Sequence, residues 1–348
     1  MARSRAGSRT FDEIDDNGWG WAIVRTVHRG VAAGTVALAL ALSACSITPE
    51  TPAGSSGTAT AGQSGHGGEQ GAEQTPTPTP TQRELPQGGR TLFPTYRLVG
   101  YSGIIGSGPG LGRAGVGTID DRMKEILERA KPYATDGRRI MPTLEYIATM
   151  VHPCRNAPKC RTRSTDARIQ EHLDAVRKVN GYLLLAIQPG RSDFPTEVKA
   201  YEKFLKEPDV GLAMDPEWRM GPNQEPMKSF GSTSGKELDA VNAYVSKLVK
   251  DNHLPEKVVL YHMIRTNWVR QPQDLKAHPG VVNIVSVDGI GSKAMKTETW
   301  KAIMKVKPKH VHPGFKLFYT EDTAGAWKLM TPAEVMALTP TPEYVLYE

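Results

Sequence analysis

From residue 91 onward the chain predicts an α/β fold, a (β/α)8 or TIM barrel, and two observations carry that prediction. Eight short apolar runs of strand character alternate with segments of helical spacing, and eight such units over roughly 260 residues have the size and rhythm of this barrel. Polar and ionisable residues also recur at the ends of the runs, which a barrel gathers on one face. An open, doubly wound sheet shares the alternation but does not account for a count of eight.

Residues 96–101, Tyr-Arg-Leu-Val-Gly-Tyr, read as the first strand. A helix follows in which Ile119, Met123, Ile126, Leu127 and Ala130 share one face, with Thr118 placed to cap its amino end. Residues 139–145 form the second strand and 167–179 the second helix. The run 181–188 is almost wholly apolar, as strands covered on both faces are. A helix over 195–205 leads to the fourth strand. Residues 237–250 read as helix, 257–262 and 281–288 as strands five and six, and 297–306 as helix. Strand seven covers 314–319, a short helix 333–338, and the last strand 344–347. No helix follows it, so the segment around Thr91 is expected to cover that flank.

The fourth strand, Val210-Gly-Leu-Ala-Met-Asp-Pro-Glu-Trp218, organises the rest. Strand side chains alternate between faces, so Gly211, Ala213, Asp215 and Glu217 fall on one face and Leu212, Met214 and Pro216 on the other. Small residues followed by two acids suit the inner wall of a barrel as it opens at its mouth. The other strand ends supply Tyr101, Glu145, Gln188, His262, Arg265, Asp288, and Tyr319 with Glu321 and Asp322. Carboxylates and aromatics without a dominant cation cluster suit a neutral polyhydroxylated ligand better than a phosphate. Tyr101, Trp218, Trp268 and Tyr319 are candidates to stack on sugar faces.

An Asp-x-Glu at the end of the fourth strand resembles the catalytic motif of family-18 chitinases, and a comparable pair occurs in family-25 lysozymes. The chitinase pattern D-G-x-D-x-D-x-E matches at Gly211, Asp215 and Glu217, with Val210 and Ala213 where its first two acids stand. The acidic first strand of the lysozymes is replaced by Gly100-Tyr-Ser102. The resemblance implies Glu217 as general acid toward a glycosidic oxygen and Asp215 as its assistant. Independently of it, glycoside cleavage needs one protonated carboxyl and a second group that supplies or activates the nucleophile. Two neighbouring acids can split their pKa values to fill those roles. The competing reading has Asp215 capping a turn and Glu217 paired with Arg219 or Arg265. Tyr101, Glu145, Gln188, Trp218, His262, Arg265, Asp288 and Tyr319 are the expected substrate-binding residues.

Three further motifs are weighed. Gly110-Leu-Gly-Arg-Ala-Gly115 matches G-x-G-x-x-G but begins about nine residues beyond the first strand, too late for a dinucleotide fingerprint. Residues 102–117 are read as a Gly-rich lid, and no cofactor is expected. Cys154 and Cys160, near His152, are expected to form a disulfide rather than a metal site. His310 and His312 are read as surface or strand-start residues.

The amino-terminal quarter is of another kind. Arg25 and Arg29 precede an apolar stretch from Gly30 to Leu42, too short to span a bilayer in the usual way and suited to a signal peptide. It ends in Leu42-Ser-Ala-Cys45, which resembles the lipobox of bacterial lipoproteins and implies lipidation at Cys45. Residues 1–44 are therefore assigned to the signal peptide, 45–90 to a disordered tether rich in Thr, Pro, Gly and Ser, and 91–348 to the barrel. The net charge of +6 falls to +5 without the first 44 residues, which hold five Arg and four acids. That mild excess, with no basic stripe of interleaved aromatics, argues against nucleic acid as a partner. The expectation is a monomeric lipoprotein on the outer side of the cell membrane, acting on envelope or extracellular polysaccharide. The alternative is a non-catalytic barrel that binds glycan or a partner protein. A solute-binding protein would need two lobes and a hinge, and no such division is visible.

Overall fold

The computed structural model describes residues 82–108, 112–155 and 159–348. The residues read as a signal peptide, Cys45 and most of those read as a tether lie outside them. Eight strands, β1 (Tyr96–Gly103), β2 (Arg139–Val151), β3 (Tyr182–Ile187), β4 (Val210–Met214), β5 (Lys257–Met263), β6 (Val281–Val287), β7 (His312–Leu317) and β8 (Tyr344–Tyr347), pair with their neighbours in parallel. β1 pairs with both β2 and β8, which closes the sheet into a barrel. Closure leaves no free edge, and every parallel return needs a crossover on the outside.

Those crossovers carry α1 (Ile119–Ala130), α2 (Asp166–Arg177), α3 (Phe194–Lys199), α4 (Glu202–Leu205), α5 (Gly235–Asp251), α6 (Lys293–Val306) and α7 (Pro332–Met336). All but α4 start at a Ser, Thr or Asp whose side chain accepts a backbone N–H of the first turn, at Thr118, Thr165, Asp193, Ser234, Ser292 and Thr331. Such a cap satisfies a donor the helix cannot and contributes about 1 kcal/mol. The single helix expected over 195–205 is broken into α3 and α4 at Tyr201, whose hydroxyl is drawn to Ala148 O at 2.8 Å and Thr149 Oγ1 at 2.6 Å. Two 3-10 turns, Thr266–Trp268 and Pro272–Asp274, replace a helix between β5 and β6.

Alternation along the strands makes two cores. Val99, Leu144, Leu183, Leu185, Leu212, Val259, Val285 and Phe315 face outward against the helices. Leu98, Met141, Tyr182, Leu184, Ala213, Leu260, Ile284 and Leu346 fill the barrel. Gly211 is small for a stated reason: a Cβ there would lie 2.9 Å from the Tyr182 ring and 2.7 Å from Val258 O. Gly100 lets β1 and β2 close, since its Cβ would fall 1.9 Å from Thr143 O.

The segment before β1 corrects two expectations. Residues 82–90, assigned to the tether, belong to the folded unit, and the stretch near Thr91 covers the amino-terminal end of the barrel rather than a flank. Leu85, Leu92 and Phe93 join the inner core. Around them Gln87 donates to Ile140 O at 2.8 Å, the Tyr96 hydroxyl to Gly88 O at 2.7 Å, and Arg90 to Leu254 O at 2.7 Å. The outer face beside β8 is covered by tyrosines, with the Tyr133 and Tyr347 hydroxyls 2.6 Å apart and Arg129 lying over the Tyr319 and Tyr347 rings.

Candidate functional site

At the carboxyl ends of the strands, alternation turns polar groups inward. His262 of β5 is the hub. Its Nδ1 lies 2.8 Å from Asp288 Oδ2, its Nε2 3.1 Å from Glu145 Oε2 and 3.9 Å from Asp215 Oδ1. Glu145 also accepts from Ser102 Oγ and from the Tyr344 hydroxyl, each at 2.9 Å, and Asp288 accepts from Ser286 Oγ at 2.7 Å. Lys316 of β7 stands 3.6 Å from Asp288 Oδ2 and pairs with Glu348 at 2.5 Å. Ser102, Glu145, His262, Ser286 and Asp288 are all buried. An unpaired charge there would be very costly, so the arrangement stands on its pairing.

The pairing sets the protonation states. Burial works against the His262 cation, but the charges of Asp288 and Glu145 outweigh it and hold the imidazole well above its ordinary pKa. Burial raises Glu145 and Asp288, yet the imidazolium between them keeps both carboxyls below the usual range. Lys316 is likewise disfavoured by burial and held charged by Glu348 and Asp288.

Asp215 and Glu217 respond the other way. β4 ends at Met214, because Pro216 has no N–H to continue the ladder, and Asp215 leads into a 3-10 turn, Pro216–Trp218. The single strand face expected for both acids therefore ends at Asp215, and the turn, not the strand, places Glu217. Gly231 N fixes that turn by donating to Glu217 O at 2.6 Å. Burial raises Asp215 to about 6 although His262 and, more weakly, Gln188 oppose it. Glu217 is raised well above its usual value by burial and then by the Asp215 charge. As a residue it is half-buried, but its Oε2 is sealed from solvent and meets no hydrogen-bond partner. The ion pair weighed for it with Arg219 does not form: Arg219 Nε donates to Glu237 at 2.9 Å.

The structure thus brings together Glu145, Gln188, Asp215, Glu217, His262 and Asp288. It does not bring Tyr101 or Tyr319 to them. β1 runs two residues past Tyr101, so its inward residue at the mouth is Ser102, while Tyr101 faces out and donates to Glu125 Oε1 of α1 at 2.6 Å. Tyr319 packs beside it, the two ring centroids 6.5 Å apart. Asp322 pairs with Lys296 at 2.8 Å, and Lys296 donates to Lys316 O at 2.9 Å, behind the cluster. Arg265 is half-buried and opens the 3-10 turn after β5. Trp218 packs on Phe230, centroids 5.9 Å apart.

Lys316, Ser102, Ser286, Tyr344 and Phe230 were not legible as site residues, although a Lys between Phe315 and Leu317 of an apolar strand is a signal that period-two reading recovers. Above the mouth, β2 extends to Val151 and pairs antiparallel with Arg161–Arg163, and Cys154 and Cys160 form the expected disulfide beyond that pairing, with S–S 2.04 Å. Of the region read as a lid, Gly112 approaches the carboxyl end of β8 so closely that a Cβ would lie 2.6 Å from Glu348 Cγ. His312 begins β7 at the opposite end and bonds Glu343. No protein-family model matches the chain, and no curated protein does.

Proposed function

We propose that this chain is a glycoside hydrolase attached to the cell surface, with Glu217 as general acid and Asp215 as the group that assists it. The observation that carries the reading is Glu217 Oε2, sealed from solvent and without a hydrogen-bond partner, near a second raised carboxyl at the carboxyl end of the barrel. A general acid must hold its proton at working pH and release it to the leaving oxygen in the transition state. Burial and the Asp215 charge supply the first condition, and the unpartnered oxygen leaves the proton free for a substrate. Asp215 ionises first of the two and serves as the anion that activates water or stabilises the positive sugar ring. His262, fixed between Glu145 and Asp288, supplies the cation that makes Asp215 the easier of the pair to ionise. The resemblance of Leu42-Ser-Ala-Cys45 to a lipobox supports anchoring through Cys45 and envelope or extracellular polysaccharide as the substrate.

The second reading, a glycan-binding protein that does not cleave, is favoured by one observation, Ala213 at the position of a further acid. Incubation of the purified protein with cell-wall polysaccharide and other extracellular glycans separates the two. Appearance of new reducing ends with the wild type, reduced at least a hundredfold by Glu217→Gln, is the expected outcome. Retention on glycan with no product from either protein would establish the binder.

A further inference from the structure

We propose that Trp218 and Phe230 form a rigid platform that takes the apolar face of a sugar ring in a glycan chain, one unit along from the bond presented to Glu217. The proposal rests on reading the acid pair as a glycan site, and it adds where the rest of the chain lies.

Trp218 follows Glu217 in the same 3-10 turn, so the indole and the acid issue from one fixed stretch of backbone. Its ring is tilted by 57° to that of Phe230, and Phe230 lies 5.6 Å from Trp268, tilted by 48°. Only the last of the three is buried, at 6 % exposure; Trp218 and Phe230 keep part of their surface in water. Trp268 is therefore a backing residue and the other two are the presenting surface.

Main-chain bonds hold the loop that carries Phe230 against the turn that carries Glu217. Gly231 N donates to Glu217 O at 2.6 Å and Ser232 N to Arg219 O at 3.1 Å. The approach is so close that a Cβ on Gly231 would fall 2.1 Å from Arg219 O. Thr233 and Ser234 pair in parallel with Val269 and Arg270, which ties the same loop to the turn bearing Trp268. Gln224 braces it from within, accepting from Gly221 N at 2.7 Å and donating to Phe230 O at 2.8 Å.

Two large aromatics held half in water by this much backbone are pre-organised, and an aromatic pays little entropy on binding because it has few rotors. The ligand follows from chemistry. A pyranose has one face of C–H groups that rests on an aromatic ring and a rim of hydroxyls that stays solvated. An anionic ligand fits less well, because the neighbouring Arg219 is engaged by Glu237 and Met220 O. A platform one unit along from the acids favours chains over single sugars.

The test separates the platform from the catalytic reading. Glu217→Gln is combined with Trp218→Ala, Phe230→Ala or Trp218→Tyr, and retention on insoluble cell-wall polysaccharide and affinity for oligosaccharides of increasing length are measured. Each alanine should weaken binding of long chains about three- to tenfold, leave the shortest ligands unchanged, and be largely rescued by tyrosine. Melting curves must match the parent; a variant that melts early is replaced by Trp218→Leu or Phe230→Leu. Unchanged long-chain affinity in the alanine variants would overturn the platform even if the wild type cleaves glycan. Loss of affinity in those variants, with no cleavage by the wild type, would retire the hydrolase and keep the platform. Failure of the Glu217→Gln protein to bind any glycan would overturn it outright.

Discussion

Two pairs of carboxyls around the same imidazole shift in opposite directions, because burial outweighs its charge at one pair and not at the other. Glu145 and Asp288 touch His262 and are pulled down, whereas Asp215, at 3.9 Å, receives too little of its charge to offset burial. The stability consequence follows from the sign of each shift. For a carboxyl whose folded pKa lies above its unfolded value, the stabilising share is complete below the unfolded value and is lost as pH rises through the folded one. For Asp215 that window runs from 3.8 to about 6, and Glu217 continues it upward. Asp215→Asn and Glu217→Gln should therefore raise Tm relative to the wild type by a few degrees at pH 7.5, and the gain should vanish near pH 4. Calorimetry at both pH values checks this, and an equal gain at both would mean that the charges are not strained. Glu145 and Asp288 have the opposite sign: their contribution is present above their unfolded values and is lost as pH falls through the lowered ones.

At the scale of elements, the eight strands were legible because each is a short apolar run bounded by polar residues. What alternation could not fix was where each strand stops. One extra pair of residues at the end of β1 exchanges Tyr101 for Ser102 as the inward group, and the same parity on β7 puts Lys316 inside and Tyr319 outside. The 3-10 turn holding Glu217 was foreshadowed by Pro216, which cannot extend a parallel ladder. Residues 82–90 were misplaced for a different reason: their composition continues that of the tether, and only packing of Leu85 beneath the barrel distinguishes them. A chain beginning at residue 91 should consequently be less stable than one beginning at residue 80. Loss of the Leu85 side chain alone removes about 2 kcal/mol, and the hydrogen bonds of Arg83 and Gln87 go with it. Paired denaturant titrations measure the difference, and identical midpoints would show that the segment does not support the barrel.

For the molecule as a whole, the proposed anchor makes a direct prediction. Expressed in a bacterium that lipidates secreted proteins, the full chain should partition into detergent with the membranes, and Cys45→Ala should move most of it to the soluble fraction. Unchanged partitioning would leave Cys45 without a role. The position of residues 82–95 adds a point about presentation. Residues 82–95 pack at the plugged, amino-terminal end of the barrel, and the acid cluster lies at the other end. Anything fused directly ahead of residue 82 is therefore joined at the end of the barrel remote from the acids, which makes that junction the natural place for a tag in the assays above.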